Sequence, residues 1–565
     1  VLTSSPRSDR SAAVAAAAGE PALPRGLLYL LFAVLVVVWF GDLAGRALID
    51  PDEGRYATLA WGMARSGDWV TPRLNGLIYF EKPPFQYWVG AIFFKLLGFN
   101  VFAARLWPAL ASFLTVLMVG LTASRLWGRD TGIRAVAVAA SMTWIFLNGH
   151  FLTLDAGLTL FLTIALCAVL IAEYGGAAGP ERRRWIWLAW AAMAGAVLSK
   201  GLVGLLIPGA VLFVASVWRR DFGLWRGMHW LSGLAIFLVL AAPWFVLVSM
   251  RNPSFAHFFF IHEHFERYLT TVHERTGAWW YFLPLFVLGM LPWTGRLPWL
   301  WPKRAAGEPG RGVAAGDLLV VWSAFVLLFF SASGSKLPSY ILPMFPAIAL
   351  LVALRLRGAP PEALRWHLAL PVLLWLAALA ASTQVGRVVN PWTPIEAVAP
   401  MGMGLRIGAL VFLVGAGLAA WALRRRRVTL AVLAVSLGHL IACAVVLQSH
   451  DAFGRLKSAA PLAAALAPMI DAGTPVFAVR DYDQTLPFYL QRDVTLVDYE
   501  DEFTLGEGLE PDRYIPTLDA FEARWRALPQ AAAYMNFPSF LELQKRNLPM
   551  RVVLGDPRRV MVVKQ

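Results

Sequence analysis

Long apolar runs separated by short polar stretches dominate the chain from residue 26 to residue 448. A helix that crosses a bilayer needs roughly 20 consecutive apolar residues. Runs of that order lie at 26–44, 102–122, 133–150, 153–173, 185–199, 201–218, 230–250, 279–296, 316–333, 339–355, 367–385, 404–423 and 428–448, which predicts about 13 transmembrane helices. One further apolar stretch, Phe85–Leu97, is short, carries Lys95 and stops at Gly98-Phe99-Asn100. That pattern predicts a juxtamembrane helix lying along the surface. With Phe85–Leu97 on the surface, the basic clusters at 125–134, 181–184, 218–226, 296–311, 355–365 and 424–427 all fall on the cytoplasmic side, as the positive-inside rule requires. A spanning Phe85–Leu97 moves most of them outside.

From Ser449 onward the pattern changes to short alternating stretches at 475–479, 494–497 and 551–563, with helix-like segments at 486–490 and 517–528. This predicts a small α/β domain. The expected organisation is a cytoplasmic segment at 1–25, a transmembrane domain at 26–448 and an extracytoplasmic α/β domain at 449–565. The Ala-rich tract at 11–18 is expected to be disordered. The first apolar run is longer than the h-region of a signal peptide and no small-residue cleavage site follows it, so it is expected to remain as a span. The acidic stretch Asp498–Glu510 could contact a substrate, with a solvated surface as the preferred reading, and no repeat of fixed period is visible.

Composition agrees with a polytopic membrane protein: of 565 residues 58% are hydrophobic and only 15% charged. The net charge of +14 sits in the short basic loops, so it does not point to nucleic acid. Cys167 and Cys443 each lie within an apolar run, without disulfide or metal-ligand spacing, and read as packing residues.

The remaining ionisable residues gather on the opposite, outer side. Asp52, Arg55, Glu81, Lys82, Asp155, Lys200, His262, Glu263, His264, Arg267, Lys336 and Tyr340 all belong to loops or span ends on that face. In Asp50-Pro51-Asp52-Glu53-Gly54-Arg55, Asp50 or Asp52 can cap a helix running from Glu53 to Arg65, with Pro51 in its first turn. The other carboxylate is free to face a substrate, and Asp52 is the better placed for that role. Glu81-Lys82-Pro83-Pro84 sets a carboxylate and an amine on a backbone stiffened by two prolines, which suits Lys82 to holding a phosphate. Lys200, Arg267 and Lys336, with Asp155 among them, read as a ring of cations for a lipid-linked phosphate, and Tyr340 adds a hydroxyl. His262 with Glu81 could bind a divalent ion across two loops, but the spacing matches no strong metal motif, and a histidine hydrogen-bonded beside a carboxylate is the preferred reading. A lipid or sugar transporter is the reading from another class. Transporters place binding groups near the midplane on broken helices and show repeats, whereas these groups lie at one surface.

The ordered series Asp50-Pro51-Asp52-Glu53-Gly54-Arg55-Tyr56, Phe80-Glu81-Lys82-Pro83-Pro84, Ser199-Lys200-Gly201 and Ser335-Lys336-Leu337-Pro338-Ser339-Tyr340 resembles the bacterial 4-amino-4-deoxy-L-arabinose transferases of lipid A. These are GT-C type membrane glycosyltransferases related to the protein O-mannosyltransferases. The resemblance covers the membrane region to about residue 350. It implies a GT-C fold with juxtamembrane helices in the first outer loop, a monomer in the bacterial inner membrane, and a periplasmic active site. It also implies inverting transfer of the amino sugar from undecaprenyl phosphate to lipid A phosphates, which confers resistance to cationic peptides such as polymyxin. In those terms Asp52 is the expected catalytic carboxylate with Asp155 beside it, and Arg55, Lys82, Lys200, Arg267, Lys336 and Tyr340 contact the donor phosphate or line the cavity. A different polyprenyl-phosphate sugar, or a protein or glycan acceptor, is the alternative within the same fold.

Overall fold

In a computed structural model, residues 23–266, 277–300 and 312–565 are described, with the backbone alone for 262–266. The N-terminal segment and its Ala-rich tract therefore lie outside the described residues. The membrane part opens with α1 (Arg25–Phe40), then α2 (Asp52–Ser66) and α3 (Phe85–Leu97), which lie in the first loop, followed by α4 (Val101–Trp127), α5 (Arg129–Ser141), α6 (Thr143–Gly149), α7 (Asp155–Tyr174) and α8 (Gly179–Lys200). Helix occupies part of each of the thirteen apolar runs. Among the described residues eight helices are long and apolar enough to cross a membrane, nine if α5 and α6, bent by 63° at their break, form one span. Several others fall short for local reasons. α1 and Val203–Arg219 are shorter, and α8 begins with Glu181-Arg182-Arg183-Arg184.

The loop between α1 and α4 takes its shape from one buried ion pair. Glu53, in the first turn of α2, is 2% exposed, and Arg105 on α4 is 0% exposed. Arg105 Nε and Nη2 donate to Glu53 Oε1 and Oε2, each at 2.7 Å. The same guanidinium donates to the carbonyls of Arg46 at 2.6 Å and Ala47 at 2.8 Å, where the chain leaves α1. The carboxylate also accepts from the amides of Ile49 at 3.1 Å and Leu152 at 3.0 Å. Two charges removed from water are thereby fully hydrogen-bonded, the condition under which such a pair is tolerated. The capping reading of Asp50 and Asp52 does not hold, since neither side chain caps α2. The negative charges of Asp52 and Glu53 still favour the helix N-terminus through its dipole. At the other end Gly67 takes φ +73°, the left-handed closure that glycine makes without strain.

The last long helix, Val428–Ser449, leads into a five-stranded sheet. After the short ribbon of β1 (Arg73–Leu74) and β2 (Leu77–Ile78) in the first loop, the sheet comprises β3 (Val476–Val479), β4 (Thr495–Val497), β5 (Ala532–Asn536), β6 (Met550–Gly555) and β7 (Arg559–Lys564). Its order is β4-β3-β5-β7-β6, with β3 parallel to both neighbours and β7 antiparallel to β5 and β6. The central strands are buried on both faces and accordingly read as nearly continuous apolar stretches. Phe477 and Val479 pack with Phe521, Trp525 and Leu543 from the two helices behind the sheet. Val476, Ala478, Tyr534 and Met561 share a single core with Leu48, Tyr56, Leu59, Tyr87 and Phe94 of the first loop.

The C-terminal domain is thus fused to the first loop through a common core. Polar contacts fix the register: Asp50 Oδ1 accepts from Gln484 N at 2.8 Å, Leu48 N donates to the Tyr489 hydroxyl at 2.7 Å, and Asn75 exchanges hydrogen bonds of 2.7 and 2.8 Å with the backbone of Val494. A Cβ on Gly54 would lie 2.4 Å from Gln484 C and Thr485 N, so the close approach of the two parts needs glycine there.

Replacing Glu53 with Ala leaves Arg105 buried without its counter-ion, which should lower the stability of the folded protein by about 3–5 kcal/mol. Thermal unfolding of the purified protein in detergent, compared with wild type, measures this.

Candidate active site

Beneath the C-terminal domain the first loop encloses a polar cleft of about 600 Å³ of empty space, open to solvent. It is lined by Asp52, Arg55, Tyr56, Glu81, Lys82, Thr153, Leu154, Asp155, Lys200, Leu337, Tyr340, Asp501 and Glu502. Seven of the ten site residues expected from the sequence therefore meet in one place: Asp52, Arg55, Glu81, Lys82, Asp155, Lys200 and Tyr340. Lys336 is not in the lining. It is buried, and its ammonium donates to the carbonyls of Ser331 at 2.9 Å and Ser333 at 2.7 Å, tying down the turn that precedes Tyr340. Arg267 and the side chain of His262 lie outside the described residues.

Each wall holds its charged groups in a different way. On α2, Arg55 sits one turn after Asp52 and donates to its Oδ1 at 2.9 Å. The other edge of the guanidinium meets Glu502 of the C-terminal domain, with Nε 2.6 Å from Oε2 and Nη2 donating to Oε1 at 3.1 Å. Glu502 also accepts from the Gln484 amide. Lys82 Nζ donates to the Glu81 carbonyl at 2.8 Å and lies 3.8 Å from the Glu81 carboxylate.

Across the cleft, Lys200 at the end of α8 reaches Asp155 at the start of α7 (2.5 Å). The second oxygen of Asp155 accepts from Ser339 Oγ at 2.7 Å. The Tyr340 ring, instead of offering only a hydroxyl, covers the Lys200 ammonium at 4.4 Å from its centroid. Exposure separates the carboxylates. The Asp52 side chain is 34% exposed, against 6% for Asp155 and 7% for Glu502, so Asp52 is the one of these three open to a ligand.

The expected ring of cations is corrected by the charge balance. Among the described lining residues there are three cations, Arg55, Lys82 and Lys200, and five carboxylates, Asp52, Glu81, Asp155, Asp501 and Glu502. The reading of Asp498–Glu510 as a solvated surface fails in part: Glu500 and Asp501 are exposed, but Asp501 and Glu502 line the cleft, where the other reading of this stretch put it. Glu502 and Glu507 are buried, and Glu510 pairs with Arg73 of the first loop at 2.8 Å. An acidic run in a domain some 450 residues downstream gives no sign in the sequence of its partners Arg55 and Arg73. No group of three or more His, Cys, Asp or Glu side chains that could hold a metal ion occurs among the described residues. Of the pair proposed as ligands, only Glu81 has a described side chain.

Burial raises several carboxyls where the first loop and the C-terminal domain meet, Glu507 to about 7 among them. Glu502 is pushed up to about 7, with Arg55 opposing and Glu81 and Asp501 adding repulsion. Asp50 is likewise raised to about 7, by burial first and then by the nearby Asp483.

Known proteins resemble this chain over both of its parts. Residues 462–564 match the family model described as aminoarabinose transferase C-terminal domain, and residues 81–247 match that of dolichyl-phosphate-mannose-protein mannosyltransferase. The undecaprenyl phosphate-alpha-4-amino-4-deoxy-L-arabinose arabinosyl transferase of Edwardsiella ictaluri is 32% identical over 371 residues, 64% of this chain and 65% of that protein. The alignment therefore spans just under two thirds of that relative's length. The protein of the same name from Pseudomonas aeruginosa is 35% identical over 405 residues, 70% of this chain and 71% of that one. The crystal structure of ArnT from Cupriavidus metallidurans bound to undecaprenyl phosphate superimposes with a TM-score of 0.91 at 36% identity, covering 96% of this chain and 98% of that one.

The chain belongs to the aminoarabinose transferase family. The fold is that of an ArnT-type integral membrane protein with a strand-containing C-terminal domain. The family match reaches the C-terminal domain as well as the membrane part, which extends the likeness beyond the first 350 residues.

The raised carboxyls carry a pH dependence. In the folded protein Asp50 and Glu502 bind protons that ordinary carboxyls, with a pKa of about 4, have released. Stability is therefore greatest at low pH within this window and falls as pH rises from about 4 through 7. Asp50→Asn keeps the acceptor for Gln484 N and removes the charge. It should raise the melting temperature over wild type at pH 8 and leave it unchanged at pH 5, as thermal unfolding at the two values would read.

Proposed function

We propose that this protein transfers 4-amino-4-deoxy-L-arabinose from undecaprenyl phosphate to phosphate groups of lipid A. In this reading it acts as a monomer in the bacterial inner membrane, with the cleft and the C-terminal domain facing the periplasm, and the transfer gives resistance to cationic peptides such as polymyxin. The names of its relatives support the donor and the sugar, and the Cupriavidus structure with undecaprenyl phosphate supports a polyprenyl phosphate as the carrier. The observation that carries the proposal is the charge composition of the cleft. Three cations beside five carboxylates complement a substrate that is itself of mixed charge, with phosphate at one end and an ammonium at the other.

The chemistry follows from the groups present. An oxygen of the acceptor phosphate attacks the anomeric carbon as the bond from that carbon to the donor phosphate breaks, inverting the configuration. The attacking oxygen is already anionic at neutral pH, so no proton has to be removed from it. What the cleft must supply is position for two anions that would otherwise repel, and stabilisation of the charge growing on the departing undecaprenyl phosphate. In this reading Lys82, on its proline-stiffened turn, and Arg55 stabilise the departing phosphate, with Arg267 joining them. Asp52, more exposed than Asp155 and Glu502, aligns the sugar through its ammonium or orients the acceptor. Asp155 and Lys200 neutralise one another and form the opposite wall, with Tyr340 over Lys200.

Asp52→Asn removes the open negative charge with little change of shape. Transfer by purified protein should fall by about a hundredfold or more, the order that one preorganised electrostatic group contributes. Mass spectrometry of the lipid A product checks this, and equal rates would take Asp52 out of the reaction. Unmodified lipid A alongside another glycosylated product would redirect the proposal to a different acceptor.

A further inference from the structure

The end of the membrane domain away from the C-terminal domain carries a second cavity that the reaction does not use. α1 is held to the bundle near its C-terminal end, where Trp39 is fully buried and its Nε1 donates to the Ala109 carbonyl at 2.9 Å. At its other end it stands away from the bundle, with Tyr29 73% exposed and Phe32 45% exposed. The gap lies between α1, α5 and Val428–Ser449, where Leu28, Phe32, Ile133, Ala137, Leu433 and Leu437 line a groove of about 1040 Å³ of empty space.

Two features specify what this groove takes. Its lining on α5 runs from Arg129 to Ala140, which at 1.5 Å per residue is about 16 Å. That is close to half of a hydrocarbon core of roughly 30 Å, the depth of one leaflet. The lining is apolar apart from Ser436, whose hydroxyl accepts from Ser141 at 3.2 Å, and the mouth, where Arg129 is exposed and, among the described residues, has no carboxylate partner. Arg25 is exposed at the start of α1, one turn before Leu28. An apolar slot one leaflet deep with guanidinium groups at the headgroup level matches an acyl chain attached to an anionic phosphate.

We propose that this groove is a binding site for an anionic glycerophospholipid of the leaflet opposite the C-terminal domain, with one acyl chain between α1 and α5 and the phosphate at Arg129. The lipid fills the space that α1 leaves and joins the inner half of the first helix to the bundle. The inference rests on the membrane fold alone and is independent of the sugar, the acceptor and the cleft.

The test is the melting temperature of the full-length protein in detergent micelles containing phosphatidylglycerol or, separately, phosphatidylcholine. A ligand that binds only the folded state raises the melting temperature. Wild type should gain about 2 °C or more with phosphatidylglycerol over phosphatidylcholine. Arg129→Gln should lose that difference, and Arg425→Gln, at the same end but outside the groove, should keep it. Ala137→Phe fills the slot and should lose the response to both lipids. If it does not fold, the Arg129 comparison still decides. A phosphatidylglycerol preference that survives in Arg129→Gln, equal responses to both lipids in wild type, or a wild-type dimer that Ala137→Phe converts to a monomer, would each overturn the proposal.

Discussion

The pairing of Glu53 with Arg105 is the constraint on which the cleft side of the molecule depends. A guanidinium on a membrane helix and a carboxylate at the start of a loop helix are both out of water, and neither can be left alone there without a large cost. Satisfying them draws together the exit of α1, the start of α2, the upper end of α4 and the turn at Leu152. Asp52 is the residue before Glu53 and Asp155 follows Leu152 by three positions. The two carboxylates that face each other across the cleft are thus placed by a pair of charges that takes no part in lining it.

The C-terminal domain completes that arrangement. Its sheet has two apolar faces, one covered by Leu518–Ala527 and Phe537–Lys545 and the other sharing a core with Ala460–Leu466, Leu486–Leu490 and, beyond them, α2 and α3. Glu502 then presents a carboxylate to Arg55 from above, so that one guanidinium bridges the open Asp52 and the buried Glu502. The charge on Arg55 is in this way shared between the membrane part and the domain above it, and the cleft exists only where the two are docked.

Much of this was legible in the sequence because it is written in local patterns. The surface helix Phe85–Leu97 has the bounds its apolar stretch indicated, and the charged motifs around Asp52, Lys82 and Lys200 meet because each stands at the same end of an apolar run. What was not legible depends on partners far apart in sequence. Arg105 is a lone charge within an apolar run, a sign that a partner exists but not which one. The expectation that Asp498–Glu510 faces solvent failed at Glu502 and Glu510 because Arg55 and Arg73, more than 400 residues earlier, pair with them. Lys336 shares a motif with Tyr340, yet its ammonium is used up by two backbone carbonyls of its own turn, a detail that spacing does not reveal.

The shared core between the first loop and the sheet has a consequence for biogenesis. The surface that α2 and α3 offer to Val476, Tyr534 and Met561 is made early in synthesis, hundreds of residues before its covering strands exist. Until those strands arrive, a nascent chain already threaded through the bilayer displays an uncovered greasy ledge at the lipid headgroups. That ledge is therefore closed only after the last strands have been made and have folded against it, so the early part of the chain reaches its final form last.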